Sequence, residues 1–299
     1  MNQSASQYEI IEGAHQTSLA RFFDSFRVFL SKPLNVASFS LTIMLCLVAI
    51  LAPVLAPYPY DAVDLSKGLS PPSWENLLGT DTAGRDVLSR LLHGARISLQ
   101  IALATVAFGM VVGVTIGAVA GYFGRWVDEI LMRIIEVFMA VPGIVMALAL
   151  VAVMGPSIPS IILALSIRRI TQFARVSRGA VLSVKTMDYV AACHALGMSD
   201  LRIIFLHILP NCLGPLIVLS SVLIGNVILT ESALSFLGMG IQEPTPSIGT
   251  MIASGNEFLT FAPWISLFPG LFLLLVMLGF NLLGDGLRDH LDPRDGNLS

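Results

Sequence analysis

DYVAACHALGMSDLRIIFLHILPNCLGP, residues 188–215, lies between two apolar runs and is itself too polar to cross a bilayer. Asp188 can cap a helix start and Gly197 supplies the left-handed residue that ends one, so Tyr189 to Leu196 is predicted as a helix of about two turns. Ser199 then caps a second helix running toward Pro210. Ala191, Ala192, Cys193 and Ala195 give the first helix little bulk, which lets the groove of another protein close around its backbone. Two readings stand at this point. The segment is a foot that takes force from a partner, or an ordinary connector between membrane helices.

Working outward, the composition places the foot in a polytopic membrane protein. Of 299 residues, 55% are hydrophobic and only 12% charged, which is not the surface chemistry of a soluble domain. A net charge of −3 and the lack of a basic patch give no reason to expect nucleic acid as a partner; lipid is the expected surroundings. Cys46, Cys193 and Cys212 are scattered in or beside apolar segments and read as packing thiols.

Residues 1–32 are read as an N-terminal segment without the basic-then-apolar order of a cleavable leader. In it Phe22, Phe23, Phe26 and Phe29 share a helical face, as an interfacial helix or one buried against the bundle would have them. The transmembrane domain is read as 33–299. Its first span is Val36 to Leu55, followed by an external loop, 58–96, in which Asp81 or Thr82 caps a short helix through Arg85, Asp86 and Leu91 to Gly94. The second span is Ile97 to Gly124, with Gly113, Gly117 and Gly121 at a spacing that permits close helix approach. Arg125 to Glu136 leads into a third span that Pro142-Gly143 kinks on its way to Val153. The fourth begins near Ile158, and the fifth is Leu209 to Leu229 with Glu231 at its far end. A second external loop, 231–260, precedes a sixth span, Phe261 to Leu283, bent at Pro269-Gly270, and a charged tail, 285–299. The coupling segment is 186–208.

The fourth span poses a problem. Ile158 to Ile167 gives only about 15 Å of helix before Arg168 and Arg169 arrive. If the helix continues to Val176, both arginines sit near the middle of the membrane, where one should face protein or water. Either they line a substrate passage and can meet a carboxylate such as a peptide C-terminus, or the helix shifts and they snorkel to the inner interface.

Six spans put both termini and the foot on one side. That side holds Arg21, Arg27, Lys32, Arg125, Arg133, Arg175, Arg178, Lys185, Arg202, Arg288 and Arg294, against Lys67, Arg85, Arg90 and Arg96 on the other. The excess assigns the foot and both termini to the cytoplasm. No phosphate-cradling loop occurs, so energy for transport must come from another chain. His15, His93, His194, His207 and His290 are too dispersed for a metal site, so no metal is expected. Catalysis through Glu136, Glu231 or the arginine pair lacks an evident partner. A primary-transporter subunit, a secondary transporter and a membrane enzyme remain the competing classes, and the foot favours the first, since no repeat of the first three spans is seen in the last three.

The foot resembles the EAA signature of ABC importer permeases. Ala192, Gly197, Leu209 and Pro210 match its spacing, while Ala191, Cys193 and His207 stand where the signature has Glu, Ala and Ile. The run His207 to Asn211 is similar to the peptide-importer branch. LGTDTAGRDVLSRLLHGARISL from Leu78, ALSFLGMGIQEPTPSIGTM from Ala233 and NLLGDGLRDHLDP from Asn281 resemble the C-type membrane subunit of dipeptide and oligopeptide importers. Ile248, where relatives commonly carry Trp, and the charged Arg168-Arg169 depart from that pattern. The resemblance implies an all-α membrane protein of six transmembrane helices with the type I ABC importer permease fold, set in the cell (inner) membrane. It also implies a homologous permease as heterodimer partner, two ABC ATPase subunits that hold the ATP and Mg, and an external solute-binding protein, with no cofactor in this chain. Tyr189, Ala191, Ala192, Cys193, His194, Ala195, Gly197, Leu209 and Pro210 become the ATPase-coupling set. Arg168, Arg169 and Glu231 become passage residues, and Asp81, Arg85, Asp86 and Arg90 docking residues for the binding protein. Nickel and glutathione importers share this subunit type, so the likeness leaves the cargo open among them and peptides.

Overall fold

In the computed structural model, which describes residues 29–291, the chain is built of helices, and among the described residues the only extended pairing is an isolated bridge between Thr80 and Asp86. Helix α1, Pro33–Ile50, has proline in its first turn, where a missing N–H costs nothing. A short α2, Ala52–Leu55, follows a break at Leu51, just ahead of Pro53. Of the expected phenylalanine face, Phe22, Phe23 and Phe26 lie outside the described residues. Phe29 is buried, its ring edge-on to those of Phe39 and His290.

Helix α3, Val87–Phe123, is longer than the expected span by ten residues at its start. The short helix ending at Gly94 is therefore corrected: Gly94 is helical. Its missing side chain instead lets the backbone of Ser247 approach, since a Cβ there would stand 3.3 Å from that chain. The cap is Asp86, whose Oδ2 accepts from the Ser89 N–H at 2.8 Å.

Helices α4, Arg125–Ala140, and α5, Gly143–Met154, meet at 86°. The expected kink at Pro142-Gly143 is a full break, because Val141 and Pro142 both take extended conformations between the two helices. Ser157 caps α6, Ile158–Lys185, by accepting from the Ser160 N–H. Helix α7 is Asp188–Ala195, and α8, Asp200–Ile203, runs through a wide π turn, Ile204–Ile208, and a 3-10 turn, Leu209–Cys212, into α9, Leu213–Phe236. Pro210 explains the irregularity: it brings no N–H and its ring crowds the preceding turn, so the helix widens there. The expected cap at Ser199 holds in position, although its side chain makes no capping bond.

The second of the loops expected to be external contains its own helix, α10, Ile248–Asn256, opened by a reciprocal Ser247/Thr250 capping box. Helix α11, Trp264–Leu291, continues through Pro269 and past Asp285. The expected tail is thus helical as far as Leu291.

Four helical runs, α1, α3, α8–α9 and α11, are long and apolar enough to cross a membrane, and the bent pair α4–α5 makes up to five. With 28 residues α6 has the length of a sixth, but its arginines keep it out of the apolar set. Leu45, Ile101, Ala147, Ile161, Phe173, Val227, Leu234 and Val276 form the core that ties these helices together. The tightest seam joins α3 to α6. A Cβ at Gly113 would stand 2.6 Å from the Ile170 carbonyl oxygen, and one at Gly117 would stand 2.2 Å from that of Ala174, so the expected close approach is realised there.

Candidate functional site

The foot closes one end of the bundle. Gly197 takes φ +74°, the left-handed turn that ends α7, with the Gly197 N–H donating to the His194 carbonyl. Val190 and Cys193 point inward onto Tyr122, Val181, Val184, Ile203 and Ile208. Cys193 is 7% exposed, so among the coupling candidates it anchors the foot and does not face outward. Tyr189, Ala191, Ala192, His194, Ala195, Gly197 and Pro210 are exposed, and Leu209 is half-buried. Around them stand Leu196, Leu201, Phe205 and Leu206, all exposed apolar side chains.

Three groups that sequence reasoning missed hold the foot in place. The Tyr122 hydroxyl, at the end of α3, donates to Asp200 Oδ1 at 2.6 Å and lies 3.4 Å from His194 Nε2. Lys185 Nζ donates to the Tyr122 carbonyl. On the other flank the Tyr189 hydroxyl donates to the His207 carbonyl at 3.2 Å, and Asn211 Nδ2 reaches the same oxygen at 2.7 Å. That carbonyl lies in the widened turn before Pro210, where the regular ladder is broken.

Arg168 and Arg169 lie mid-helix on α6 and both line a cavity of about 380 Å³ between α5, α6 and α9. Arg169 is 6% exposed and donates from Nη1 to Gln172 Oε1 at 2.9 Å, while its Nε has no partner. The Arg168 stem passes over Gly143, where even a Cβ would stand no nearer to it than 3.5 Å. Arg168 and Arg169 stand 17 and 16 residues before Lys185, the last residue of α6.

Glu231 is corrected. It is fully buried within α9 and is not among the cavity residues. Its two oxygens accept from Ser98 Oγ on α3 and Ser235 Oγ, each at 2.7 Å, so it fastens α9 to α3.

Of the docking candidates at the opposite end, Asp81, Asp86 and Arg90 are buried and Arg85 is partly exposed. Asp81 accepts from the backbone of Ala83 and Arg85 and from Arg85 Nε at 2.7 Å. Asp86 accepts from Asn76 as well as capping α3. Glu243, from the loop between α9 and α10, receives Arg85 Nη1 at 2.5 Å and Arg90 Nη2 at 2.7 Å. Partial burial works against the charge on Arg85, but Asp81 and then Glu243 outweigh it and raise its pKa. These charges knit the two loops together. What faces outward at this end is Trp74, with Val63, Leu65 and Leu77.

Residues 113–295 match the family described as binding-protein-dependent transport system inner membrane component, and residues 21–72 match the N-terminal TM domain of oligopeptide transport permease C. The chain is 40% identical over 278 residues to the dipeptide transport system permease protein DppC of Alkalihalophilus pseudofirmus, covering 93% of this chain and 91% of that one. It is 41% identical over 272 residues to the glutathione transport system permease protein GsiD of Pectobacterium atrosepticum, covering 90% and 89%. Against the oligopeptide transport system permease protein OppC of Bacillus subtilis it is 38% identical, covering 95% and 93%. In structure it is similar to a chain of the inward-facing MetNI methionine ABC transporter, with a TM-score of 0.54 and 17% identity over 67% of this chain and 95% of that one, a likeness of fold alone.

Proposed function

The chain belongs to the family of binding-protein-dependent transport system inner membrane components, and from that premise we propose that it is the permease subunit of an ATP-driven importer of small peptides. It lines the passage with a homologous permease, receives solute from a binding protein at the loop end, and is driven by two ATPase subunits that would hold the ATP and Mg. Both termini and the foot face the cytoplasm in this reading, which the excess of Lys and Arg on that side supports. Peptide as cargo is supported by the named relatives, whose substrates are dipeptides, oligopeptides and glutathione, itself a small peptide. At the loop end, exposed Trp74 and half-exposed Glu243 are the groups on offer to a binding protein.

The observation that carries the proposal is the foot. Helix α7 has an anchored inner face of Val190 and Cys193 and an outer face of Ala191, Ala192 and Ala195, small enough to enter a groove. A push on that face passes through Tyr122 and Asp200 into α3 and α8, so the two access states of the bundle can be biased from outside the membrane.

The test is ATP-driven uptake of labelled alanyl-alanine by the assembled importer carrying Ala192→Trp or Gly197→Pro. Proline cannot adopt φ +74°, and tryptophan at 192 cannot share a closed groove. The complex is expected to co-purify intact with uptake abolished. Normal uptake by either variant would remove the foot from the mechanism.

A further inference from the structure

The cavity between α5, α6 and α9 carries two positive charges and no counter-charge. Neither Arg168 nor Arg169 has an ion-pair partner among the described residues. The elements around the pair offer none: α5 has no acidic residue, α3 has none beyond its Asp86 cap, and the one acid of α9, Glu231, is engaged by Ser98 and Ser235. On α4, Asp128 is held by Arg178 at 2.5 Å and Glu136 by Arg133 at 3.2 Å, while Glu129 lines a separate pocket with Arg125, Arg133 and Arg178. Arg169 is nevertheless almost wholly buried, with its Nε unpartnered and Gln172 as its single hydrogen-bond acceptor. A buried guanidinium without an anion is unfavourable, and a fold retains one where the anion arrives from elsewhere.

We infer that Arg168 and Arg169 form an anion subsite that receives a carboxylate of the solute in transit. This deepens the peptide-permease reading and rests on it. The guanidinium fork matches a planar carboxylate bidentately, and the remaining lining, Gly143, Leu229, Thr230 and Ala233, is neutral and small or apolar. A volume of about 380 Å³ lies within the range of small-ligand sites, roughly 300–1,000 Å³. Arg168, less buried than Arg169, meets the carboxylate first, and Arg169 completes its neutralisation. The pair thereby favours peptides with a free C-terminus over those without one.

The test uses the assembled importer in membrane vesicles, with two readouts. Uptake of alanyl-alanine should fall roughly tenfold or more in Arg169→Gln and be largely kept in Arg169→Lys, since one charge-assisted hydrogen bond is worth about that factor. Arg168→Gln serves as the second variant should Arg169→Gln fail to assemble, with the same direction expected. Separately, phenylglyoxal modification of the 168–169 pair, read by mass spectrometry, should be blocked by alanyl-alanine and not by its C-terminal amide. Arginine-to-glutamine uptake within twofold of the parent, or equal protection by acid and amide, overturns the inference. So does a pair already shielded in the peptide-free complex, which would mean that a partner chain supplies the carboxylate. An importer that moves no peptide at all sinks the peptide-permease reading instead, and the protection readout, which needs no transport, still decides the subsite.

Discussion

Replacing Gly117 by alanine tests whether the α3–α6 seam holds the bundle together. The new Cβ would stand 2.0 Å from Ser177 Oγ, 2.2 Å from the Ala174 carbonyl oxygen and 2.9 Å from the Arg178 nitrogen. Ser177 can rotate away, but the carbonyl and the nitrogen belong to the backbone of α6. Relief therefore requires the two helices to part by about 1 Å, a gap that forfeits a quarter to a half of each contact energy along the seam. Overpacking of this kind costs about 1 to 3 kcal/mol, and the upper end applies because backbone opposes backbone. The control is Gly179→Ala on α6 itself, where a Cβ meets nothing within 4 Å. There the substitution removes a helix-interior glycine and stabilises by about 0.5 to 1 kcal/mol. Two glycine-to-alanine changes in one bundle are thus separated by about 3.5 to 4 kcal/mol with opposite signs. The assay is thermal unfolding of the detergent-solubilised chain, with Ser177→Ala added to Gly117→Ala. No rescue by the second change is expected, since the Ala174 carbonyl remains. A Gly117→Ala variant as stable as Gly179→Ala would refute the seam as described.

Tyr122→Phe removes the 2.6 Å bond to Asp200 while leaving the Lys185 bond to the Tyr122 carbonyl, and should loosen the foot by about 1.5 to 3 kcal/mol, the worth of a hydrogen bond to a charged group. Hydrogen exchange of the 189–196 amides should accelerate, and unchanged protection would exclude Tyr122 as the anchor. Glu243→Ala leaves buried Arg90 with Asp81, 3.5 Å away, as its remaining ionic partner. The loss should be about 1 to 2 kcal/mol, because half-exposure of Glu243 discounts the full cost of breaking a buried pair. Faster proteolysis within 237–247 is the readout, and an unaltered cleavage rate would mean that the two loops are held by other contacts.

Much of the bundle was legible in the sequence because its determinants are local. The end of α7 follows from Gly197, whose φ +74° only glycine adopts readily, and the widening of the helix before α9 follows from Pro210. The glycine spacing on α3 announced a close neighbour without naming it, and α6 was the neighbour. The reading failed where a local signal had a distant override. Gly94 looked like a helix end, yet its bare surface is occupied by Ser247, a residue of the second loop. Pro142 looked like a kink, and whether two helices resume at a shallow or a steep angle depends on what each packs against; here the angle is 86°.

Charges in so apolar a chain were harder to place, for a reason that also separates structure from function. Among the described residues the buried ionisable carboxylates and guanidinia are Asp81, Asp86, Arg90, Arg169 and Glu231. A run of sequence shows the charge but not its partner: Arg90 waits for Glu243 and Glu231 for Ser98, each more than 130 residues away. For this reason Asp81, Asp86, Arg90 and Glu231 read as surface or passage groups and proved to be internal ties. Arg169 differs from the other four because the fold brings it no anion. A buried charge satisfied within the chain has its explanation in the fold. One left without an anion, beside a cavity and next to a second arginine, has its explanation in what enters the cavity.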